Sequence, residues 1–438
     1  MSEHRSLSRR GFLTALGAGG AAAGLTACVG PGTTRGGKAG SAGGTVQMPD
    51  QVGTGPAKGK LSFAHWRAED KATFATLIDK FTKANPDASI SQDIAPSADY
   101  QATELQRIKS GAVGDVFAAF RGSQFSAIAK AGLFLPLGKQ SFIDNYVARL
   151  VRAGRSDGIE MGMPYQLVFP MPLYNVDLFD KVGISEIPQD WEGFLSMCDK
   201  LKGKGYYPMA WPGGEIGNAG QLFNSMVMNN APTEDACSRI ENGQGKCTDD
   251  WFVNTLKQYK QLIPYFQPNS VGTQPQPCQQ LFKQEKAAML VTGSYDISAV
   301  RKLGAKFALD LLSPITTTKD KAKYQGTYNA TFILGVSSAS KHQDAGLKFL
   351  EFLSQPENAQ FYGNQTAQLT TLENIEYSNK DLAKTAKWIT RPTSLAMRYQ
   401  FENLDVEHAV EGACIKVVGG TSPESAAEAA QRVVDQNR

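Results

Sequence analysis

The stretch Gly162–Asn175, GMPYQLVFPMPLYN, divides this chain of 438 residues into two halves. It contains three prolines and no apolar spacing of helical period, so we expect it to be extended. An extended segment between two regions of regular secondary structure is typical of a chain that passes from one lobe to another. The sequence therefore predicts two lobes joined by this crossing segment.

On both sides of the crossing segment, short apolar strands alternate with amphipathic helices. Strands are predicted around Leu61 and Phe63 and at 89–94, 115–120, 207–210, 287–292, 307–312 and 331–336, with helices including 74–85, 100–110, 190–201 and 344–353. This alternation predicts an α/β fold in which each lobe is a mainly parallel sheet flanked by helices. The part from Gly59 onward has about 380 residues, more than one hydrophobic core usually holds.

The N-terminus has the pattern of an export signal. Arg9 and Arg10 precede a weakly apolar run that ends in LTAC at residues 25–28. The paired arginines favour the twin-arginine route, and LTAC resembles the bacterial lipobox, in which the cysteine is acylated. We therefore expect residues 1–28 to be a signal peptide, Cys28 to be the lipid anchor, and the protein to lie on the extracytoplasmic face of the cell membrane. The alternative is a plain exported protein with an incidental cysteine.

Residues 29–58 follow the anchor and contain nine glycines and three prolines. Such a composition predicts a flexible tether. Residues 1–28 and 29–58 each carry two net positive charges, which leaves the rest of the chain near −1 out of the total of +3. The folded part therefore lacks the strongly basic character of a nucleic-acid-binding protein.

The cysteines fit an exported protein. Cys237 and Cys247 enclose a polar loop and are predicted to form a disulfide, whereas a second bridge among Cys198, Cys278 and Cys414 is left open. The chain has no Cys-x-x-Cys spacing, no His-Glu-x-x-His motif and no phosphate-binding loop. These patterns predict neither a metal nor a cofactor.

Candidate ligand-binding residues follow from the rule that ligands of open α/β sheets bind beyond the carboxyl ends of strands. The residues that this rule selects, with those of the crossing segment and of nearby turns, are Trp66, Arg67, Arg121, Gly122, Tyr165, Gln166, Trp211, Ser294, Tyr295, Asp296, Tyr328, Asn329 and Arg398. Trp66 and Trp211 are also compatible with the lobe cores, but their position just after a strand favours the cleft. Arg121 fits a surface ion pair equally well, Asp296 fits turn chemistry, and Arg398 fits a helix end.

Aromatic residues at strand ends suit sugars. An indole or phenol ring offers a flat apolar face to the C–H face of a pyranose, while neighbouring amides and acids pair with its hydroxyls. The sequence thus favours a mono- or oligosaccharide as ligand.

The order of motifs resembles the extracellular solute-binding proteins of ABC importers, the family that includes maltose-binding protein. The resemblance is carried by four segments: 162–179, 188–194, 282–295 and 345–357. It implies a type II periplasmic-binding-protein-like fold with a ligand cleft between lobes 59–167 plus 314–353 and 168–313 plus 354–438. It also implies a monomer that closes around its ligand, docks on a membrane permease, and requires neither catalysis nor a cofactor. The family usually has Trp where this chain has Tyr295, and a stacking role suits both.

Three alternatives stay open. The same clamp could hold a polyamine, which needs acidic groups beside aromatic rings, or a glycerophosphodiester, which needs a cation such as Arg121 near the mouth of the cleft. An exported glycoside hydrolase could use a pair of carboxylates among Asp115, Glu215 and Asp296.

Overall fold

The computed structural model describes residues 49–111 and 114–438. The predicted signal peptide, its anchor Cys28 and residues 29–48 of the predicted tether lie outside the described residues. The strands are β1 Gly59–His65, β2 Ala88–Ile94, β3 Val116–Ala119, β4 Arg155–Ser156, β5 Ile159–Glu160, β6 Met163–Val168, β7 Leu173–Asn175, β8 Tyr207–Ala210, β9 Ala287–Leu290, β10 Leu309–Leu311, β11 Gly326–Val336, β12 Leu369–Thr370 and β13 Thr393–Leu395.

The α-helices occupy about half of the remaining described chain. They are α1 Lys71–Ala84, α2 Ser97–Lys109, α3 Ser123–Lys130, α4 Ala148–Val151, α5 Val176–Lys181, α6 Trp191–Gly203, α7 Ile216–Asn230, α8 Ala236–Glu241, α9 Asp250–Gln261, α10 Pro275–Lys283, α11 Ile297–Lys302, α12 Gln343–Leu353, α13 Pro356–Thr366, α14 Lys380–Thr385, α15 Leu404–Glu411, α16 Ala413–Val418 and α17 Pro423–Gln436. The helix predicted to open at Asp190 does so, since the Asp190 carboxylate accepts a hydrogen bond from the Gly193 amide at 2.7 Å.

Two separate sheets form the centres of the two lobes, and both are mixed in direction. The first sheet has the order β12-β6-β11-β3-β1-β2, with β13 paired to the start of β11, and the second has the order β10-β7-β9-β8. Parallel pairing is confined to β1 with β2 and β3, β11 with β13, and β8 with β9. The two-lobed α/β fold is as predicted, but the sheets are not mainly parallel. The strands that return from the other lobe enter antiparallel to their neighbours.

The predicted crossing segment is confirmed. Its first strand, β6, pairs with β11 and β12 in the first sheet, and its second strand, β7, pairs with β9 and β10 in the second. Residues 169–172 connect the two sheets, and Phe169 and Met171 are buried in an apolar cluster that also contains Trp388. A second crossing joins β10 of the second sheet to β11 of the first. Packed, extended segments therefore connect the two lobes.

Residues 356–370 lie with the first lobe. Helix α13 packs on α1, and β12 pairs with β6. Tyr362 of α13 is fully buried in the core of the first lobe. The structure thus places residues 356–370 on the first lobe, whereas the sequence interpretation assigned 354–438 to the second. The C-terminal helices α15 to α17 do pack on α7 and α9 of the second lobe.

The end of the predicted tether is bound to the first lobe. The Val52 amide donates to Gln140 Oε1 at 3.0 Å, and the Ala57 amide donates to Asn85 Oδ1 at 2.7 Å. The Ala57 side chain is fully buried. The prediction of a flexible tether up to residue 58 is therefore wrong for its last residues, because side chains of the first lobe satisfy their backbone groups.

The predicted Cys237–Cys247 disulfide is absent, and both residues are free, buried thiols. They lie in the apolar core of the second lobe. Burial raises the pKa of both thiols, that of Cys247 to about 12. Since the thiolate is the form that exchanges, these surroundings oppose its reaction. Cys198, Cys278 and Cys414 are free and buried as well.

Close backbone packing beside the crossing segment makes one glycine essential. A Cβ on Gly154 would collide with the carbonyl oxygen of Gly162. We expect Gly154→Ala to lower the free energy of unfolding by about 1–3 kcal/mol, because the backbone at the first residue of the crossing segment would have to move. Urea unfolding measures this change.

The matched control is Gly203→Ala at the end of α6, where a Cβ would meet nothing within 4 Å. That variant should be as stable as the wild type, or more stable by up to about 1 kcal/mol. Equal unfolding curves for the two alanine variants would contradict the packing argument.

Candidate functional site

A cavity of about 400 Å³ lies between the two lobes, within the range of small-molecule sites. Its walls come from both sheets. The first lobe contributes Trp66, Arg67, Glu69, residues 96–98, Gln101, Ala102, Phe120, Gln166, Val168 and Thr331, and the second contributes Glu215, Ile216, Gly217, Asn218, Gln221, Pro275, Gln276, Gln279, Tyr295, Asp296, Arg398, Tyr399, Leu404 and His408. Six predicted residues line it: Trp66, Arg67, Gln166, Tyr295, Asp296 and Arg398.

Trp66 and Phe120 form an aromatic wall of the cavity. Trp66 follows β1, Phe120 follows β3, and their rings stack with centroids 3.6 Å apart and an interplanar angle of 17°. Phe332 of β11 meets the Trp66 ring edge to face at 4.9 Å. Trp66 is 9% exposed, so it is both part of the core and part of the wall. Trp66 therefore fits both interpretations that the sequence left open, a residue of the lobe core and a residue of the cleft.

Arg67 is held by a buried chain of hydrogen bonds. Its guanidinium contacts Glu69 at 2.7 Å and Asp70 at 2.9 and 3.3 Å. Burial disfavours its charge, but the negative charges of Asp70 and Glu69 outweigh that effect and raise the pKa of Arg67 above its ordinary value. Asp70 in turn accepts a hydrogen bond from the Tyr362 hydroxyl at 2.6 Å, and Gln166 Nε2 donates to that hydroxyl. This chain connects Gln166 of β6 to a charged group on the cavity wall.

Tyr295 and Asp296 lie on the second lobe, just after the turn that follows β9. The Tyr295 hydroxyl donates to Asn218 Oδ1 at 2.8 Å. Asp296 Oδ2 accepts hydrogen bonds from Thr292 at 2.8 Å and from Gln279 at 3.0 Å. Burial raises the pKa of the Asp296 carboxyl. The turn thus places a phenol and a carboxylate side by side on the wall.

Arg398 joins the two lobes. Its Nε contacts Glu407 of the second lobe at 2.9 Å, and its NH2 group donates to Gln101 Oε1 of the first lobe at 2.8 Å. Gln101 Nε2 donates to Glu407 at 3.3 Å, and the Ser123 hydroxyl of α3 also donates to Glu407. These buried contacts link the lobes along one side of the cavity.

Two predicted aromatic residues belong to the lobe cores instead of the cavity wall. Trp211 is fully buried, stacks on Phe266 with centroids 5.1 Å apart, and donates to the Ala219 carbonyl at 3.1 Å. Tyr165 is fully buried and donates to the Leu353 carbonyl at 3.1 Å. Their prediction as cleft residues is wrong, because each side chain points into the apolar layer behind its strand.

Five further predicted residues lie outside the cavity lining. The Ser294 hydroxyl accepts from the Phe169 amide at 3.0 Å, and so braces the crossing segment. Asn329 is fully buried within β11, and Arg121 and Tyr328 are partly buried. Gly122 has φ of +92°, and a Cβ there would lie within 3.3 Å of the backbone of residues 399 and 401. Gly122 therefore permits close approach of the second lobe.

Several lining residues were not predicted as ligand contacts. They are mostly amides and hydroxyls, including Gln101, Asn218, Gln221, Gln279 and Thr331, together with the carboxylate of Glu215. Glu215 and Asn218 begin or precede α7, which follows β8, so extending the strand-end rule to the next helix would have found them. Thr331 is 7% exposed, and its hydroxyl has no hydrogen-bond partner among the described residues.

Within 49–111 and 114–438, no three His, Cys, Asp or Glu side chains are grouped as a metal site would require. In that part of the chain, too, every helix falls short of the length and apolar character of a membrane span.

The fold is similar to several solved structures of solute receptors. A chitin oligosaccharide binding protein superposes with a TM-score of 0.76 at 18% identity, covering 86% of this chain and 98% of that one. RafE in complex with raffinose gives 0.73 at 17% identity, covering 87% and 100%. The solute receptor AcbH, described as preferring β-D-galactopyranose, gives 0.76 at 18% identity, covering 87% and 98%. At these identities the likeness shows the fold.

Sequence comparison agrees. A multiple sugar-binding protein of Streptococcus mutans is 21% identical over 310 residues, which are 69% of this chain and 72% of the relative. The family model described as bacterial extracellular solute-binding protein matches residues 65–360, more than half of the chain. The chain therefore belongs to the bacterial extracellular solute-binding protein family.

Proposed function

We propose that this protein is the substrate-binding lipoprotein of an ABC importer that captures a carbohydrate between its lobes and delivers it to a membrane permease. The observation that carries the proposal is the cavity itself, in which an aromatic wall from the first lobe faces amide and carboxylate side chains of the second. Stacking rings beside hydrogen-bonding groups suit a pyranose. The sugars named for the similar structures support the same ligand class.

Ligand binding and lobe closure are coupled in this arrangement. A ligand that contacts Trp66 on one lobe and Tyr295 on the other stabilises the closed state more than the open one, and so shifts the population. The crossing segments absorb the rotation. Transport energy comes from an ATPase elsewhere, so the clamp needs no catalytic group.

Two of the alternatives, a glycerophosphodiester ligand and a glycoside hydrolase activity, fit less well. Arg121, the cation proposed for a glycerophosphodiester, lies outside the cavity lining, and both lining arginines are paired with carboxylates. For a hydrolase, Asp115 is unsuitable because it bonds Ser62 and Ser340 within the first lobe, away from the cavity.

The sugar-binding function is tested by a thermal-shift screen followed by titration calorimetry. We expect one or more mono- or oligosaccharides to raise the melting temperature, since a ligand of the native state stabilises it by mass action. Trp66→Leu should weaken binding of the best sugar by about tenfold or more, because the stacking surface is lost. It should also lower the melting temperature of the empty protein, since Trp66 packs on Phe120.

Trp211→Leu is the matched control. It removes a buried indole of the same size from the core, so the melting temperature should fall while the affinity of the folded protein stays near that of the wild type. Loss of affinity in both variants, or in neither, would place the sugar elsewhere.

Anchoring at Cys28 is a separate part of the proposal. We expect Cys28→Ala to shift the protein from the membrane fraction to the medium, because the acyl chains that would hold it on the bilayer cannot be attached. Fractionation with immunodetection checks this. Unchanged membrane retention would exclude the anchor while leaving ligand binding untouched.

The buried acid Glu411 should make stability depend on pH. It is fully buried, lies 3.8 Å from Arg398, and its Oε2 lacks a hydrogen-bond partner among the described residues. Burial raises its pKa from 4.5 to about 8, in spite of the opposing charge of Arg398. The folded state thus favours the protonated acid. Its contribution to stability is full at a pH below 4.5, declines as the pH rises, and is lost above about 8.

Glu411→Gln keeps the shape of the acid and its hydrogen bond from Asn224 but cannot ionise. Between these two pH values, the unfolding free energy of the wild type should therefore fall relative to that of Glu411→Gln in urea titrations. Glu424→Gln, at a surface ion pair with Lys257, serves as control and should run parallel to the wild type. Parallel curves for all three proteins would contradict the assignment.

A further inference from the structure

The cavity wall carries more acid than base. Its lining includes Glu69, Glu215 and Asp296 against Arg67 and Arg398. Both arginines are already engaged, Arg67 by Glu69 and Asp70 and Arg398 by Glu407 and Glu411. Six carboxylic acids and two guanidiniums therefore lie in this part of the described chain, and five of the acids remain when Glu411, whose pKa burial raises to about 8, is left out as protonated. Burial lowers the pKa of His408, so that residue does not add a positive charge near neutral pH.

Glu215 and Asp296 have no cationic partner in an ion pair among the described residues. Glu215 Oε2 accepts a hydrogen bond from Asn218 at 3.1 Å, and Asp296 Oδ2 accepts from neutral donors only. Lys302, an exposed base outside the cavity lining, donates to the Glu69 carbonyl at 2.6 Å. Burial and, to a smaller extent, the charge of Glu215 raise the pKa of Asp296, whereas its hydrogen bonds from Gln279 and Thr292 and the charge of Arg67 oppose this shift. Among the described residues neither acid is thus paired directly with a cation, so a bound cation would supply a partner to both.

A second, independent feature points to a ligand at the same place. Thr331 of the first lobe lines the cavity and is 93% buried, and its hydroxyl has no partner among the described residues. A buried polar group of this kind normally has a hydrogen-bond partner, which a ligand would supply. The remaining amides of the wall, such as Gln101, Asn218 and Gln221, are suited to hydroxyl groups.

We propose that the ligand is an amino sugar whose ammonium group is held by the carboxylates of Glu215 and Asp296. The proposal rests on the carbohydrate-binding function proposed above and narrows its substrate class. The ammonium supplies the missing positive charge, and the Trp66 and Phe120 rings offer π-faces that attract cations. The sugar hydroxyls occupy the amides and Thr331. A polyamine would satisfy the acids but carries no hydroxyl groups for the amides and for the unpartnered Thr331, and a neutral sugar would hydrogen-bond the acids without supplying a cation.

Titration calorimetry with matched ligands tests this inference. Chitosan disaccharide, cellobiose and diacetylchitobiose share one skeleton and differ at carbon 2, which carries an ammonium, a hydroxyl or an acetamide. The pairs glucosamine with glucose and galactosamine with galactose extend the test to single rings. We expect the amino form to bind at least about tenfold more tightly than its neutral counterparts, and the preference to shrink at high salt and at a pH that deprotonates the amine.

Variants assign the preference to the two acids. The double variant Glu215→Gln with Asp296→Asn should bind neutral and amino sugars with affinities within about threefold of each other. Glu424→Gln removes a surface carboxylate far from the cavity and should keep the wild-type preference. If it lost the preference as well, net charge instead of the site would be responsible, and the inference would fall.

The other outcomes separate failure of the amino-sugar inference from failure of the proposed carbohydrate-binding function. Equal or tighter binding of neutral sugars by the wild type overturns the amino-sugar inference and leaves carbohydrate binding in place. Tighter binding of spermidine than of every sugar overturns both. Failure of every sugar in the panel to bind counts against the proposed function itself.

Discussion

The buried guanidinium of Arg398 is the contact that joins the two lobes along one side of the cavity. A charge removed from water is tolerated only when opposite charges and hydrogen-bond acceptors surround it. Arg398 finds these partners on both lobes, with Glu407 on its own side and Gln101 on the other. Glu407 also accepts from Ser123 of the first lobe, so opening the cleft would break this hydrogen bond and that of Arg398 with Gln101, while the Arg398–Glu407 ion pair would stay within the second lobe. Contact between the lobes on this side is therefore favoured by hydrogen bonds that Gln101 and Ser123 of the first lobe make to Arg398 and Glu407 of the second.

Arg67, on the opposite wall, is also a buried guanidinium paired with carboxylates, but its partners lie within one lobe. Asp70 and Tyr362 connect it to Gln166, and Gln166 belongs to the strand that leads into the crossing segment. A rotation of the lobes that moved this strand would be transmitted to Arg67 on the cavity wall through the side chains of Gln166, Tyr362 and Asp70. The two arginines thus differ in role: Arg398 joins the lobes, whereas Arg67 joins the hinge strand to the ligand cavity. Both guanidiniums are paired with carboxylates, so the polar groups that remain for a ligand in the cavity are its acids and amides.

Much of the architecture follows from local sequence, since the alternation of strands and helices and the proline-rich crossing segment depend on neighbouring residues. The strand-end rule also located Trp66, Arg67 and Tyr295 correctly on the cavity. It could not tell Trp66 from Trp211, because both indoles follow a strand and only the packing of distant residues decides which one the core encloses. Whether the strands pair parallel or antiparallel, and on which lobe α13 packs, could not be predicted from the sequence for the same reason. Each depends on which distant strand pairs with which.

Strain at one residue explains how the aromatic wall keeps its geometry. Phe332 has φ of +53°, a backbone conformation that costs a bulky residue about 1–3 kcal/mol. Its ring is fully buried and lies between Trp66 at 4.9 Å and Phe74 at 5.8 Å. The packing of these rings offsets the strain, since moving Phe332 would remove the support beneath the indole. The neighbouring Thr331 lines the cavity on the same strand. One strained step in β11 therefore positions both an apolar surface and an unpartnered hydroxyl for a ligand that needs the two together.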